Sequence, residues 1–150
     1  MLSFCSCSID SESYNFVDSE NYYFSSRIWK TKSKEKSIIL AIHGYNDYSN
    51  SFDSPANFLS KYQTSVFSFD LRGFGSNQNK GEWFPLEVHI NDVEFYLKKI
   101  KKKFPDRKLF LLGESMGGAI VVSTLKRNPK ISLDGVILVA PAIWNFSEKN

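Results

Sequence analysis

Unbroken apolar runs, rather than alternating ones, set the pattern of this chain. Ser37–Ile42, Ser65–Phe69, Leu109–Leu112 and Leu133–Ala140 are each short and nearly all apolar. A strand covered on one face alternates with period two, whereas a strand covered on both does not. These runs therefore predict strands inside a parallel sheet. Tyr22–Trp29 is aromatic and β-branched and predicts an earlier strand; with Lys30–Lys36 as a basic turn, it is expected to form a hairpin with its successor. Between the strands the period changes. Ser54 and Pro55 supply a helix cap and a first-turn proline for a helix through Ala56, Phe58, Leu59 and Tyr62. Val93, Leu97, Ile100 and Phe104 define one apolar face of a helix over 91–104, ended by Pro105. Ala119–Leu125 predicts a further helix, closed by Asn128-Pro129, while Gly73–Glu82 is polar and irregular and reads as a loop.

Strands and helices thus alternate from Ser37 onward, which predicts an α/β fold with a right-handed, mostly parallel central sheet and helices on both faces. Ligands bind such sheets beyond the carboxyl ends of the strands. Those ends carry His43-Gly44-Tyr45, Asp70, Gly113–Gly117 and Ala140-Pro141.

Composition changes this picture little. With 150 residues, 42% hydrophobic and 23% charged, the chain holds one domain of ordinary globular make-up. The net charge of +3 is too mild to argue for nucleic acid. Most of that excess lies in Lys98, Lys99, Lys101, Lys102 and Lys103, which read as a solvated helix surface with cations near its C-terminus. No run is long and apolar enough for a membrane span. The two cysteines, Cys5 and Cys7, form a C-x-C pair that suits neither a zinc site nor a disulfide framework, and nothing calls for a metal or a cofactor. Residues 1–20 read as a tether or signal remnant and 21–150 as the N-terminal portion of a single domain. Cys7, preceded by the small Ser6, is a candidate lipidated residue that would give membrane association, although no charged leader or full apolar segment precedes it; the plain alternative is an unstructured terminus.

The candidate chemistry lies in Gly113-Glu114-Ser115-Met116-Gly117, a G-x-S-x-G turn between a predicted strand and a predicted helix. In that arrangement the serine sits at a strained junction, lifted clear of the sheet, and the flanking glycines leave room for backbone that a Cβ would strike. The following helix aims N–H groups and a partial positive charge at any negative charge forming beside the serine. A serine that merely caps the helix is the plainer reading.

With His43-Gly44-Tyr45-Asn46-Asp47, Asp70–Gly75, Gly113–Gly118 and Leu138–Ala142 in this order and spacing, the sequence resembles the α/β-hydrolase superfamily over 14–150. More narrowly it is similar to serine hydrolases of the monoacylglycerol lipase and lysophospholipase kind. The resemblance implies that Ser115 is the nucleophile, forming an acyl-enzyme with a carboxylic ester. The oxyanion would be held by the backbone N–H groups of Met116 and Tyr45. It also implies that Asp70, Arg72 and Gly73 are structural and that His43 supports the oxyanion turn rather than acting as base. Bacterial members of this pattern are often lipoproteins, which keeps Cys7 open, so a cytoplasmic and a membrane-anchored location both stand. His89, at the start of a helix, is expected to be exposed.

One feature departs from the family. The triad order is serine, acid, histidine, yet after Ser115 the acids are Asp134 and Glu148 and no histidine follows. Asp134 precedes its strand, at the wrong end. The expectation is that acid and base lie beyond Asn150, that this is the N-terminal half of an enzyme, and that these 150 residues alone are inactive, with Leu133–Ala140 left as an exposed edge. A non-catalytic α/β-hydrolase-like binding protein, a peptidase, a thioesterase and a perhydrolase remain as alternatives.

Overall fold

The computed structural model describes residues 12–17, as backbone, and 22–143. Cys5 and Cys7 lie outside the described residues. Six strands form one sheet: β1 (Glu12–Val17), β2 (Tyr23–Trp29), β3 (Ser37–Ile42), β4 (Thr64–Phe69), β5 (Lys108–Glu114) and β6 (Gly135–Val139), in spatial order β1-β2-β4-β3-β5-β6. The β4-β3-β5-β6 block is parallel, and β1 and β2 are antiparallel additions to it. The helices are α1 (Asp53–Ser60), α2 (Leu86–Lys103) and α3 (Met116–Arg127).

The unbroken apolar runs are explained by two cores, one on each sheet face. Ile38, Leu40 and Ile42 of β3 join Phe67, Phe69, Leu109 and Leu111 against α2 and α3. The intervening Ile39 and Ala41 join Trp29, Val66, Phe52 and Ala56 on the α1 side. Successive side chains of a strand point to opposite faces, so every position from Ile38 to Ile42 of β3 is apolar. The β6 end of the sheet is less covered. Val136, Ile137, Leu138 and Val139 of β6 are about 39–46% exposed, the apolar edge expected from the sequence.

Several expectations are corrected. The tether through residue 20 gives way to sheet at 12–17, where β1 pairs with β2 in an antiparallel register from Glu12↔Ile28 to Val17↔Tyr23. The hairpin expected between Tyr22–Trp29 and the Ser37 strand does not form; β4 lies between them because the parallel pairing of β3 and β4 buries both faces of each. Ser54 is not a cap, since a 3-10 turn over Ser49–Phe52 runs straight into α1 and makes Asp53 already helical. Pro55 still falls in the first turn, where its missing N–H costs nothing. The helix over 91–104 starts earlier, at Leu86 behind the extended Pro85.

Candidate functional site

The candidate site is built where β3, β4 and β5 end. Ser115, between β5 and α3, has φ 50° and ψ −116°, outside the regions that L-residues favour. Two glycines make this turn possible. A Cβ on Gly117 would stand 2.2 Å from the Ile42 carbonyl oxygen, and one on Gly113 2.6 Å from the Gly117 carbonyl oxygen. The strained residue is held by its neighbours: the Ser115 N–H donates to the Val139 carbonyl (2.9 Å), and its own carbonyl accepts from the N–H groups of Ala119 (3.2 Å) and Ala142 (2.9 Å). Met116 is the first helical residue, so its N–H has no intrahelical acceptor.

The turn after β3 lies directly against the serine. A Cβ placed on Gly44 would be 3.3 Å from Ser115 Cβ and 3.9 Å from Ser115 Oγ. Tyr45 follows, with its side chain 66% exposed. Its ring meets Phe74 edge-on (5.6 Å) and Trp83 at a tilt (6.4 Å). Together with Asp47, Lys80 and Glu82 these rings line a groove of about 360 Å³.

His43 is completely buried and both of its ring nitrogens are engaged. Nδ1 donates to the Gly44 carbonyl (2.8 Å), and Nε2 accepts the Leu71 N–H (2.9 Å). Those partners fix one neutral tautomer, and burial pushes the pKa below the usual histidine range despite the Gly44 bond and the nearby Asp70. The Leu71 N–H occupies the lone pair a general base would need. His43 thus braces the turn that carries Tyr45.

Asp70 is a brace as well. Its carboxylate accepts the N–H groups of Ser49 (2.8 Å) and Ser76 (2.7 Å), closing two loops over the ends of β3 and β4. Asn77, which sequence reasoning missed, locks the same corner: its amide donates to the Asp70 and Leu71 carbonyls and accepts the Ser25 N–H. Arg72 turns inward, lies over the Tyr22 ring (4.0 Å) and pairs through Nε and Nη2 with Asp92 of α2. Asp92 was also missed. Its signal was a carboxylate four residues before Tyr96, on the apolar side of the helix.

His89 is buried, 5% exposed, not exposed as expected. The earlier helix start places it one turn before Val93, on the buried face. Burial, reinforced by His43 and Arg72, lowers its pKa to about 4. The unfolded residue titrates near 6.5, so between these values the unfolded chain holds a proton that the fold rejects. Stability should therefore fall as pH drops from about 6.5 and level off below about 4, with His43 acting in the same direction. Urea midpoints measured across that window should fall less steeply in His89→Gln; an unchanged slope would show that His89 is not responsible. Asp134, at the opposite end of the sheet, accepts the Leu109 N–H (2.8 Å) and is far from this edge. Among the described residues no group accepts a hydrogen bond from Ser115 Oγ, and none form a cluster able to hold a metal ion.

A strand–serine–helix turn at the carboxyl edge of a parallel sheet with helices on both faces is the arrangement of the α/β hydrolases. A carboxyl esterase from Bacillus coagulans has the same fold, with a TM-score of 0.76 over 85% of this chain and 43% of that one, at 21% identity. The family described as serine aminopeptidase, S33, matches residues 33–148, and the chain belongs to it. Monoglyceride lipase of Mus musculus is 31% identical over 132 residues, which are 86% of this chain and 43% of that protein. Protein phosphatase methylesterase 1 of Candida albicans is 32% identical over 111 residues, 74% of this chain and 31% of that protein. A soluble variant of monoglyceride lipase from Saccharomyces cerevisiae, solved with a substrate analogue, superposes with a TM-score of 0.71 at 25% identity, over 93% of this chain and 47% of that one. The chain spans less than half the length of these relatives.

Proposed function

We propose that the protein is a serine hydrolase of carboxylic esters, with a monoacylglycerol or lysophospholipid-like substrate and Ser115 as nucleophile. The observation that carries this reading is the strained Ser115, φ 50°, packed against the Gly44 turn. Similarity to monoglyceride lipases supports the ester class. In this reading Ser115 Oγ attacks the ester carbonyl carbon and passes its proton to a histidine. The carbonyl oxygen becomes an anion facing the N–H groups of Met116 and Tyr45. Collapse breaks the ester bond and the departing alcohol takes the proton. Water then repeats the sequence on the acyl-enzyme and releases the acid. The groove of Tyr45, Phe74 and Trp83 adjoins the turn that carries the Tyr45 N–H and offers rings against which an acyl or glycerol group could lie.

His43 has no lone pair to give, and His89 is enclosed at α2, so the reading takes both the histidine and its acid from chain beyond Asn150. The test is release of glycerol from a monoacylglycerol by the full-length protein, beside release of glycerophosphocholine from a lysophospholipid and cleavage of amino-terminal amides. Preference for amides would replace the ester reading with the peptidase one; no turnover of any substrate would leave a binding protein. Within the ester reading, Met116→Ala should retain most activity, because the backbone N–H survives. A loss as large as that of Ser115→Ala, with the melting temperature unchanged, would show that the Met116 side chain does the work assigned to its backbone.

A further inference from the structure

Basic residues that are scattered along the sequence gather at one pole of the fold. The sheet and its helices bring together the segment entering β3, the end of α1, the last turns of α2 with the loop into β5, and the end of α3 with the loop into β6. All of these lie at the amino ends of the parallel strands, opposite Ser115. Within 22–143 this pole carries fifteen lysines and arginines against four carboxylates (Glu35, Glu94, Asp106 and Asp134), a net of +11. The rest of those residues carry three cations against seven carboxylates, a net of −4. The overall charge of +3 hides this division. Lys30, Lys32, Lys99, Lys103 and Arg127 have contacts of their own; leaving Lys30 and Lys32 aside, eleven of the thirteen other cations are exposed.

Helix ends explain part of the pattern. Lys101–Lys103 and Lys126–Arg127 sit in the last turns of α2 and α3, where cations meet the negative end of the helix. Lys34, Lys36, Arg107, Lys108 and Lys130 lie outside helices, and placing them beside the others adds repulsion that the pole's four carboxylates offset only in part. A cleft lined by Lys34, Lys36, Arg107 and Lys108, with the carboxylates Glu35 and Asp106 among them, runs under the ends of β3 and β5. Arg107 Nε is buried there without a hydrogen-bond partner. A second, apolar notch of about 220 Å³ opens beneath Lys98 and Lys101, walled by Leu97, Leu109 and Ile131. Phe58 and Tyr62, in mutual contact at 5.1 Å and 57% and 65% exposed, border the same pole.

We propose that this basal pole docks the protein onto an anionic lipid surface. The cations are predominantly lysine, eleven of the thirteen. Lysines act as point charges toward headgroup phosphates and carboxylates, whereas arginine is the usual reader of nucleic acid. The apolar notch and the exposed ring pair give acyl chains and the bilayer interface something to meet, which a polynucleotide backbone does not supply. Ser115 stands at the far end of strands that span roughly 20 Å, so docking leaves the candidate site open to water. The proposal is independent of the ester reading, since it concerns the other end of the sheet.

The test is co-sedimentation of the protein with vesicles of phosphatidylcholine alone or with phosphatidylserine at 30 mol%. Binding to the anionic vesicles and not to the neutral ones is expected, with steep weakening between 50 and 500 mM salt. Each lysine near such a surface is worth roughly fivefold in partitioning. The exposed set Lys98→Gln, Lys102→Gln, Lys103→Gln and Lys108→Gln should therefore lower binding at least about 100-fold. Lys80→Gln, at the other pole, should leave it unchanged. Equal binding to neutral vesicles, or full binding by the fourfold variant, would overturn the proposal. So would displacement from the vesicles by a 20-nucleotide RNA at equal phosphate, which would make the pole a nucleic-acid surface.

Discussion

In the full-length protein, Ser115→Ala is expected to abolish labelling by a fluorophosphonate probe and to lower ester hydrolysis by about 10⁶-fold. That is the scale on which triad serine hydrolases respond to loss of the nucleophile, leaving residual catalysis from the oxyanion hole and binding. The backbone should hardly notice. Ser115 stands at φ 50°, where alanine and serine carry the same Cβ and similar strain. Its anchoring bonds to Val139, Ala119 and Ala142 use main-chain atoms alone. The melting temperature should therefore match the parent's while activity disappears. Labelling that persists in Ser115→Ala would move the nucleophile elsewhere, and a loss of activity matched by unfolding would reduce Ser115 to a structural residue.

The turn was legible in the sequence because its requirements are local. A glycine on each side of one serine, between an apolar run and a helical one, admits few other backbones, and the strand cores follow from the same kind of short-range pattern. What escaped depends on contacts distant in sequence. The position of β2 was misjudged because neighbouring strands in sequence suggest a hairpin, whereas Trp29 pairs with Val66 of β4. Residues 12–17 mix Glu, Ser and Asn with Tyr, Phe and Val, too weak a pattern to announce β1 without its partner. His43 could be assigned as a brace from family resemblance, but the physical reason needed both ring partners, Gly44 and the Leu71 N–H from 28 residues on. His89 was lost when the start of α2 was placed near 91, since the missing turn carries it on the buried face, and Asp92 because its partner Arg72 stands 20 residues away in sequence. The basic pole was invisible for the same reason as β2's place: the segments that form it are joined only by strand order.

Asp92→Ala should destabilise the fold by about 3–5 kcal/mol, the usual cost of breaking a buried ion pair from one side. Arg72, 8% exposed, would remain under the Tyr22 and Phe24 rings with its main carboxylate partner gone. The pair is bound by three contacts of 2.9–3.2 Å, two of them from Nε, so water cannot replace the carboxylate without opening the α2 packing. Against a total stability of about 5–15 kcal/mol for a domain, this is a large share for a single side chain. It should also reach the candidate site. Arg72 follows Leu71, whose N–H holds His43, and His43 in turn holds the Gly44 carbonyl beside Ser115. Loosening Arg72 therefore loosens the turn that positions Tyr45. The double variant Arg72→Met with Asp92→Leu removes both charges and keeps the volume, and it should regain most of the loss. Urea unfolding of the two variants separates the causes. A double variant as unstable as Asp92→Ala would mean that the shape of the pair, rather than its charge, holds α2 to the sheet.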